Sequence, residues 1–215
     1  MKLEPLGESA FILRDLGPWE AHRLSDAVDA ARVPGVLETV CAYDTIGVYV
    51  DPTVFDRDRF ETVAEALRPA AVEDGARRHT VPVCYDLGPD LPEVCDRLGL
   101  TPKRFAELHS GLAYKCFAIG FSPGFPYLGW LPEELRGVPR QESPRVRVPA
   151  GSVAITGTQT GIYPQETPGG WALIGRTPLE LVNLRDEYFP IHAGDTIAFE
   201  RINETAFRAM EGRRL

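Results

Sequence analysis

A serine between two glycines is the first feature of this sequence that points to chemistry. Residues 120–124 read Gly-Phe-Ser-Pro-Gly, which fits the G-x-S-x-G pattern around the nucleophile of many serine hydrolases. That mechanism uses the backbone N–H of the residue after the serine, and Pro123 has no N–H. The next residues, Gly124-Phe125-Pro126, are also a poor start for the helix that must follow. We therefore predict that Ser122 is not a nucleophile and that this segment is a rigid loop.

Aromatic residues in and after this loop offer flat apolar surfaces. Phe121 and Phe125 are expected to fill the hydrophobic core. Tyr127 and Trp130, whose rings each carry a polar group, are better candidates to line a pocket. The loop therefore predicts one wall of a binding site more readily than a catalytic centre.

A group of arginines stands out in a chain with 31 acidic and 23 basic residues. On a strand, Arg145 and Arg147 would share one face while Val146 and Val148 turn inward. A guanidinium group suits the recognition of a carboxylate or a phosphate. The alternative is a solvated strand face with acidic neighbours, and for the group as a whole we favour anion recognition. The arginines are Arg136, Arg140, Arg145 and Arg147.

A glycine-rich polar stretch follows, from residue 149 to residue 178. Gln159 and Tyr163 offer uncharged hydrogen-bonding groups, and Trp171 follows two glycines that leave the backbone accessible. A series of hairpin turns is the simpler interpretation of the glycines alone. The density of polar residues and glycines favours a binding surface for the whole stretch.

His109 ends a predicted helix and is the best candidate for a base. The alternative is a helix-ending histidine that interacts with the helix dipole. None of the four histidines has a partner at a metal-binding spacing, so we predict no metal site. The sequence also lacks both the G-x-x-x-x-G-K-[ST] motif and a dinucleotide fingerprint.

Composition narrows the function further. The 215 residues have a net charge of -8, which disfavours binding to nucleic acid. The four cysteines form no C-x-x-C pair and lie among apolar residues, so they are expected to be buried thiols. The first residues lack the apolar core of a signal peptide, and no run is long enough to span a membrane. These features predict a cytoplasmic protein that binds no membrane.

The order of elements predicts an α+β protein with two domains. Residues 1–80 show strand and helix patterns in the order β-α-β-β-α-β, with the last strand near 79–85, which is typical of a ferredoxin-like domain. Residues 81–215 begin with two helices and continue as short strands between glycine- and proline-rich turns. That pattern is typical of a closed or nearly closed β structure.

Several long motifs also resemble one known family, over residues 80–200 in most detail. These are VPVCYDLGPDL, LGLTPKRFAELHS, GFSPGFPYLGWLP, AGDTIAF and the segment from Pro139 to Pro178, PRQESPRVRVPAGSVAITGTQTGIYPQETPGGWALIGRTP. In this order they resemble the family of allophanate hydrolase subunit 1, which includes the 5-oxoprolinase component PxpB and the kinase inhibitor KipI. Ser122 falls at a variable position of the family motif, which agrees with its rejection as a nucleophile.

The resemblance implies a ferredoxin-like domain followed by a cyclophilin-like β-barrel domain. It also implies an enzyme subunit, inactive alone, in an ATP-dependent 5-oxoprolinase that opens 5-oxoproline to glutamate. The implied partners are a PxpC-type protein, similar to allophanate hydrolase subunit 2, and a PxpA-type protein. ATP would be used by the complex, since this chain has no nucleotide motif.

The chemistry of lactam opening suggests a role for each candidate residue. Arg140 and Arg145 are expected to hold the substrate carboxylate, and Gln159 and Tyr163 to donate hydrogen bonds to the developing oxyanion. His109 is the expected proton carrier, and Tyr127 and Trp171 are the expected pocket walls. A KipI-like inhibitor of a sensor histidine kinase and a component of allophanate hydrolase or urea amidolyase type are the alternatives. A peptide-binding module comes last, because it would rest on fold alone.

Overall fold

The computed structural model describes residues 1–67 and 77–215, and the chain divides into two compact units, Met1–Gly75 and Ala76–Leu215. The boundary predicted at residue 80 lies within a strand of the second unit. The predicted second helix extends to residue 70, and residues 68–70 of that prediction lie outside the described part of the chain.

The first unit contains a four-stranded antiparallel sheet with two helices. The sheet has the order β1-β2-β4-β3. Buried side chains of the helices, among them Leu24 and Phe60, pack on buried strand residues such as Leu13 and Val48. The elements are β1 (Lys2–Pro5), β2 (Ala10–Arg14), α1 (Pro18–Ala31), β3 (Val36–Ala42), β4 (Thr45–Val50) and α2 (Arg57–Ala66).

The predicted arrangement of the first domain is wrong in one strand. The run near 79–85 does form a strand, β5 (Arg78–Val83), but β5 belongs to the sheet of the second unit. The fourth strand of the first unit is instead β1, which pairs with β2. Val81 and Val83 are fully buried, and an apolar run of this kind predicts a buried strand without indicating its sheet.

The second unit is a mixed α/β fold built on a curled seven-stranded sheet. The sheet has the order β12-β9-β10-β7-β6-β13-β5, in which only the pair β13-β5 is parallel among the described strands. Two backbone hydrogen bonds between Cys84 and Arg176, of 2.9 and 3.0 Å, join the two ends of this order. The elements are α3 (Leu91–Leu98), α4 (Pro102–Ser110), β6 (Ala113–Ile119), β7 (Pro126–Gly129), β8 (Arg145–Val148), β9 (Ser152–Thr156), β10 (Gln159–Ile162), β11 (Thr167–Gly169), β12 (Ala172–Arg176), β13 (Thr196–Arg201) and α5 (Glu204–Met210).

The two faces of the curled sheet have different coverings. One face, the core face, packs against α3 and α4 through residues such as Leu128 and Ile155. The other face, the cavity face, carries a smaller cluster that includes Ala154, Tyr163 and Leu173. Strands β8 and β11 form a separate two-stranded ribbon, and Val148 of β8 packs into this smaller cluster.

The ribbon corrects one detail of the arginine prediction. Val148 is buried as expected, but Val146 is 82% exposed. Strand β8 pairs only with the short β11 among the described strands, and Val148, but not Val146, belongs to the smaller buried cluster. The ribbon therefore presents an apolar side chain to solvent beside its arginines.

Candidate functional site

A small cavity lies where the ribbon meets the cavity face of the second unit. Its volume is about 280 Å³, and its walls combine aromatic rings with a few polar groups. Four of the seven residues predicted for the site line it, namely Tyr127, Arg140, Tyr163 and Trp171. The other lining residues are Phe121, Phe125, Gln141, Pro144, Pro168, Gly169 and Gly170.

The aromatic wall is organised around Phe125, which is buried as predicted. Its ring meets those of Tyr127 and Tyr163 edge-on at centroid distances of 5.1 Å and that of Trp171 at 5.5 Å. A Cβ atom at Gly161 would lie 2.9 Å from the Phe125 ring, so only glycine allows this approach. The packed rings give the cavity a rigid apolar side.

Phe121 does not lie in the core, contrary to the prediction. Its ring is 60% exposed and lines the cavity, and its φ angle of 66° is rare for a bulky residue. The chain after Ser122 continues into strand β7 and not into a helix, so the serine is not set in a hydrolase elbow. The loop thus forms part of the rim of the cavity.

Tyr163 is positioned as a neutral hydrogen-bond donor in the cavity wall. A Cβ atom at Gly169 would overlap the Tyr163 hydroxyl, so this glycine permits the ribbon to approach the ring. Burial raises the pKa of the Tyr163 phenol, while the Trp171 backbone N–H and the charges of Arg140 and Arg145 act in the opposite direction. The net increase keeps the phenol protonated at neutral pH.

The four arginines of the basic segment have different environments. Arg140 lines the cavity with an exposed side chain, and Arg145 lies close enough for its charge to act on Tyr163. Arg147 is exposed and pairs with Glu166 at 2.7 Å, and Arg136 donates from Nε to the Leu131 carbonyl oxygen at 2.7 Å. The site therefore draws on Arg140 and Arg145.

Arg145 is only partly satisfied by its neighbours. Its Nη2 atom donates to Oδ1 of Asp90 at 2.5 Å. Its Nη1 atom is buried and has no hydrogen-bond partner within the described residues. A buried guanidinium nitrogen without an acceptor is unusual, and the described residues supply none for Nη1.

Asp90 and Gln141 were missed in the sequence. Asp90 immediately precedes α3, where a carboxylate usually caps the helix, but its side chain makes no capping bond here. It accepts a hydrogen bond from the Leu173 backbone N–H at 2.6 Å instead. Gln141 follows Arg140 directly, and its backbone N–H donates to the Gly170 carbonyl oxygen at 2.8 Å. These contacts join distant segments, so no local pattern could have indicated them.

His109 lies away from the cavity, which argues against the predicted role as proton carrier. It is 0% exposed on the core face, with its ring stacked on Phe199 at 4.6 Å. Its Nε2 contacts the Thr160 hydroxyl at 2.9 Å. Successive residues of a strand face opposite sides of the sheet, and the next residue, Gly161, faces Phe125 in the cavity wall. Burial lowers the pKa of His109 to about 3, so the ring is neutral at physiological pH.

The tautomer of His109 follows from its partners. Thr160 donates its hydroxyl proton to the Ala154 carbonyl oxygen at 3.0 Å, so it accepts from His109. Nε2 therefore carries the proton, and Nδ1 accepts from the Tyr85 hydroxyl at 2.8 Å. The histidine is the centre of a buried hydrogen-bonded chain.

Gln159 also lies outside the lining of the cavity. It begins β10, where it pairs with Gly129 of β7 and Thr156 of β9, and its side chain is half-buried. The structure thus brings Tyr127, Trp171, Tyr163 and Arg140 together around the cavity and leaves Arg145, Gln159 and His109 outside its lining.

Residues 1–67 and 77–215 hold neither a metal-binding cluster nor a membrane-spanning helix. No group of three or more His, Cys, Asp and Glu side chains is arranged to hold a metal ion in this part of the chain. No helix there combines the length and apolar character required to cross a membrane.

Comparison with known proteins identifies relatives over nearly the whole chain. Residues 1–190 match the family model of the carboxyltransferase domain, subdomain C and D. The B-type subunit of 5-oxoprolinase from Bacillus subtilis (strain 168) is 36% identical, with 97% of this chain and 95% of the relative covered. The corresponding 5-oxoprolinase protein of Escherichia coli O157:H7 is 40% identical, with 90% and 93% covered.

Solved structures show the same fold. The crystal structure of TTHA0988 superposes with a TM-score of 0.82 at 38% identity, over 90% of this chain. This chain spans only 40% of the length of TTHA0988. The urea amidolyase of K. lactis gives a TM-score of 0.72 at 14% identity, over 97% of this chain and 15% of that chain, which supports the fold alone. The resemblance seen in the sequence is confirmed, and the chain belongs to the PxpB family of 5-oxoprolinase subunits, within the carboxyltransferase subdomain C and D proteins.

Proposed function

We propose that this chain is the PxpB-type component of an ATP-dependent 5-oxoprolinase and that its cavity binds the carboxylate and ring of 5-oxoproline. Relatives that align over at least nine-tenths of the chain are named as B-type subunits of 5-oxoprolinase. The observation that carries the proposal is the cavity of about 280 Å³ in which Arg140, Tyr163 and aromatic rings meet. This volume is near the lower limit for ligand pockets, which suits a small ring acid.

The residues around the cavity match the chemistry of this substrate. A lactam acid has a carboxylate, for which Arg140 and Arg145 provide guanidinium donors. Its apolar ring can pack against Tyr127 and Trp171, and its carbonyl oxygen can accept from the neutral Tyr163 phenol. In this proposal the cavity residues bind and orient the substrate.

The base must come from elsewhere. His109 is buried and neutral on the core face, so it is not the proton carrier in this proposal. Gln159 does not line the cavity, and its role as a hydrogen-bond donor to the oxyanion stays a prediction. A partner chain is the natural source of the missing groups, because the cavity has an exposed rim at Phe121 and Arg140.

The proposed partners are a PxpC-type protein, similar to allophanate hydrolase subunit 2, and a PxpA-type protein. A protein named as a subunit belongs to an assembly, and the relatives carry such a name. This chain covers only 40% of the length of TTHA0988 and 15% of the length of the K. lactis urea amidolyase. In those proteins the same fold is thus continuous with much additional chain. ATP would activate the lactam carbonyl by phosphorylation, and we assign its binding to the assembly and to no residue here. None of the four cysteines forms a disulfide bond, which agrees with the cytoplasmic location that we propose.

We also propose the finer fold assignments that the sequence suggested. The bridge between Cys84 and Arg176 supports a cyclophilin-like barrel in the second unit. The four-stranded sheet with two helices supports a ferredoxin-like first unit, with β1 in place of the predicted last strand.

A KipI-like inhibitor of a histidine kinase is the second candidate function. Exposed apolar side chains favour it, since Phe121 and Val146 would both be available to a protein partner. Co-purification of the native protein separates the two candidates. A stoichiometric PxpC-type chain supports the enzyme, whereas a histidine kinase supports the inhibitor.

Arg145→Ala in the reconstituted complex tests the proposed function. We expect the KM for 5-oxoproline in oxoproline-dependent ATP hydrolysis to rise at least tenfold, because a hydrogen bond to a charged group contributes about 1.5–3 kcal/mol. Arg147→Ala is the matched control, since Arg147 lies two residues away on the same ribbon and pairs with Glu166. We expect its KM to stay within about twofold of the wild type. An unchanged KM for Arg145→Ala, or equal effects of both variants, would remove the cavity from the substrate site.

A further inference from the structure

Asp90 joins three segments beside the cavity. Its backbone N–H donates to the Leu173 carbonyl oxygen at 3.0 Å, and its carboxylate accepts from the Leu173 N–H at 2.6 Å. The same carboxylate accepts from Arg145 at 2.5 Å and from the Gln141 side chain at 3.4 Å. A residue that is only 8% exposed thus links the start of α3, strand β12 and the arginine segment.

The carboxylate of Asp90 fixes one half of the Arg145 guanidinium group. The group is planar, so a bond at Nη2 sets the direction of the donors at Nη1. Nη1 is buried and has no acceptor among the described residues. The pairing with Asp90 therefore leaves Nη1 as a donor whose direction is fixed, and the charge of Arg145 acts on Tyr163 in the cavity wall.

We propose that Asp90 is a positioning residue that holds Arg145 so that its unpaired amino group meets the carboxylate of a small acid in the cavity. The proposal rests on the proposed function and adds a specific role to a residue that touches no substrate. Asp90 acts through Arg145, and it also accepts hydrogen bonds from Gln141, which lines the cavity, and from Leu173 of the smaller buried cluster.

Two effects oppose each other when the Asp90 carboxylate is neutralised. Its negative charge repels an anionic ligand, so its loss alone would tighten binding. Its hydrogen bonds hold Arg145 and the Leu173 N–H, and an asparagine cannot accept from both with the same strength. The proposal requires the second effect to be the larger one.

Asp90→Asn in the reconstituted complex measures which effect is larger. We expect the KM for 5-oxoproline to rise about tenfold while kcat stays within about twofold, since binding and not chemistry is disturbed. Glu93→Gln is the matched control, because it removes the same charge from an exposed side chain on α3. We expect both constants of this control to remain near the wild-type values.

The double variant separates positioning from a general structural role. In the Arg145→Ala background, Asp90→Asn should cause no further increase in KM, because its effect is transmitted by Arg145. An equal increase in both backgrounds, or an unchanged or lower KM for Asp90→Asn alone, overturns the proposal. Thermal unfolding of each variant verifies that the fold is retained.

Failure of this proposal is distinguishable from failure of the proposed function. If Arg145→Ala raises the KM and Asp90→Asn does not, only the role of Asp90 is lost. If the wild-type complex has no oxoproline-dependent ATP hydrolysis, the proposed function fails and the role of Asp90 fails with it. If the Asp90→Asn variant does not assemble, the Arg145→Lys variant is measured in its place. The lysine keeps the positive charge but lacks the planar guanidinium, which can bond Asp90 on one side and a ligand on the other. An unchanged KM for that variant also overturns the proposal.

Discussion

Arg145 and Tyr163 illustrate how single residues prepare the cavity for an anion. Arg145 has one amino group on Asp90 and another, buried, without an acceptor in the described part of the chain. Tyr163 is buried beside it with a raised phenol pKa, so it donates a hydrogen bond without adding charge. A positive group near a neutral donor can recognise a carboxylate and a carbonyl in the same molecule, which is the role that the proposed function gives to this pair.

The burial of His109 leads to a prediction for how the free energy of unfolding depends on pH. His109 has a folded-state pKa of about 3, against about 6.5 for an unfolded histidine. Between these pH values the unfolded chain binds more protons, so the contribution of His109 to the free energy of unfolding falls as pH decreases below about 6.5.

His109→Gln should therefore cost about 1–3 kcal/mol near neutral pH, where it disrupts the buried bonds to Tyr85 and Thr160. The difference from the wild type should narrow by up to about 1.4 kcal/mol per pH unit below about pH 6.5, since glutamine does not titrate. Urea unfolding at a series of pH values measures both quantities. His192→Gln, at an exposed site, is the control, and a difference for His109→Gln that stays constant with pH would contradict the account.

At the scale of elements, the two-stranded ribbon β8-β11 shapes the cavity through close backbone approach. Gly169 lies against the Tyr163 hydroxyl, whereas a Cβ atom at the neighbouring Gly170 would meet Pro144 at an ordinary 3.5 Å. The ribbon can therefore tolerate a side chain at one of these adjacent positions and not at the other.

Gly169→Ala should destabilise the chain by about 1–3 kcal/mol, because the added methyl group must displace Tyr163 or the ribbon. Gly170→Ala, the matched control, should cost less than about 1 kcal/mol. Urea unfolding measures the free energy of unfolding of both variants. If both variants lose a similar amount of stability, the ribbon does not pack tightly against Tyr163.

The elements also show what local sequence can and cannot reveal. Thr101-Pro102 predicts a helix start, and the Thr101 side chain does accept from the Arg104 N–H at 3.2 Å. Strand β5 was predicted as a strand but placed in the wrong sheet, because its partner β13 is more than a hundred residues away. The four-residue β1 was missed, since so short a segment shows too little alternation to detect.

The candidate site follows the same rule. Residue types, together with the family resemblance, indicated the rings, Tyr163 and the two arginines, because aromatic and guanidinium groups suit a small acid. The position of His109 was not predicted, because a local pattern does not show which face of the sheet helix α4 covers. Asp90 was missed because its partners Leu173 and Arg145 lie far along the chain.

At the scale of the whole molecule, the proposed function makes the chain one member of an assembly. In that proposal the second unit provides a wall that binds and orients a lactam acid, and partner chains provide the groups that activate the lactam and move protons. This chain spans 40% of the length of TTHA0988, so the same fold is continuous there with much additional chain.

A crystal structure of the reconstituted complex with bound 5-oxoproline would show whether this cavity holds the substrate. We expect the ligand carboxylate to lie within hydrogen-bond distance of Arg145 or Arg140, with its ring between the aromatic walls of the cavity. A ligand bound wholly within a partner chain, with this cavity empty, would contradict this expectation.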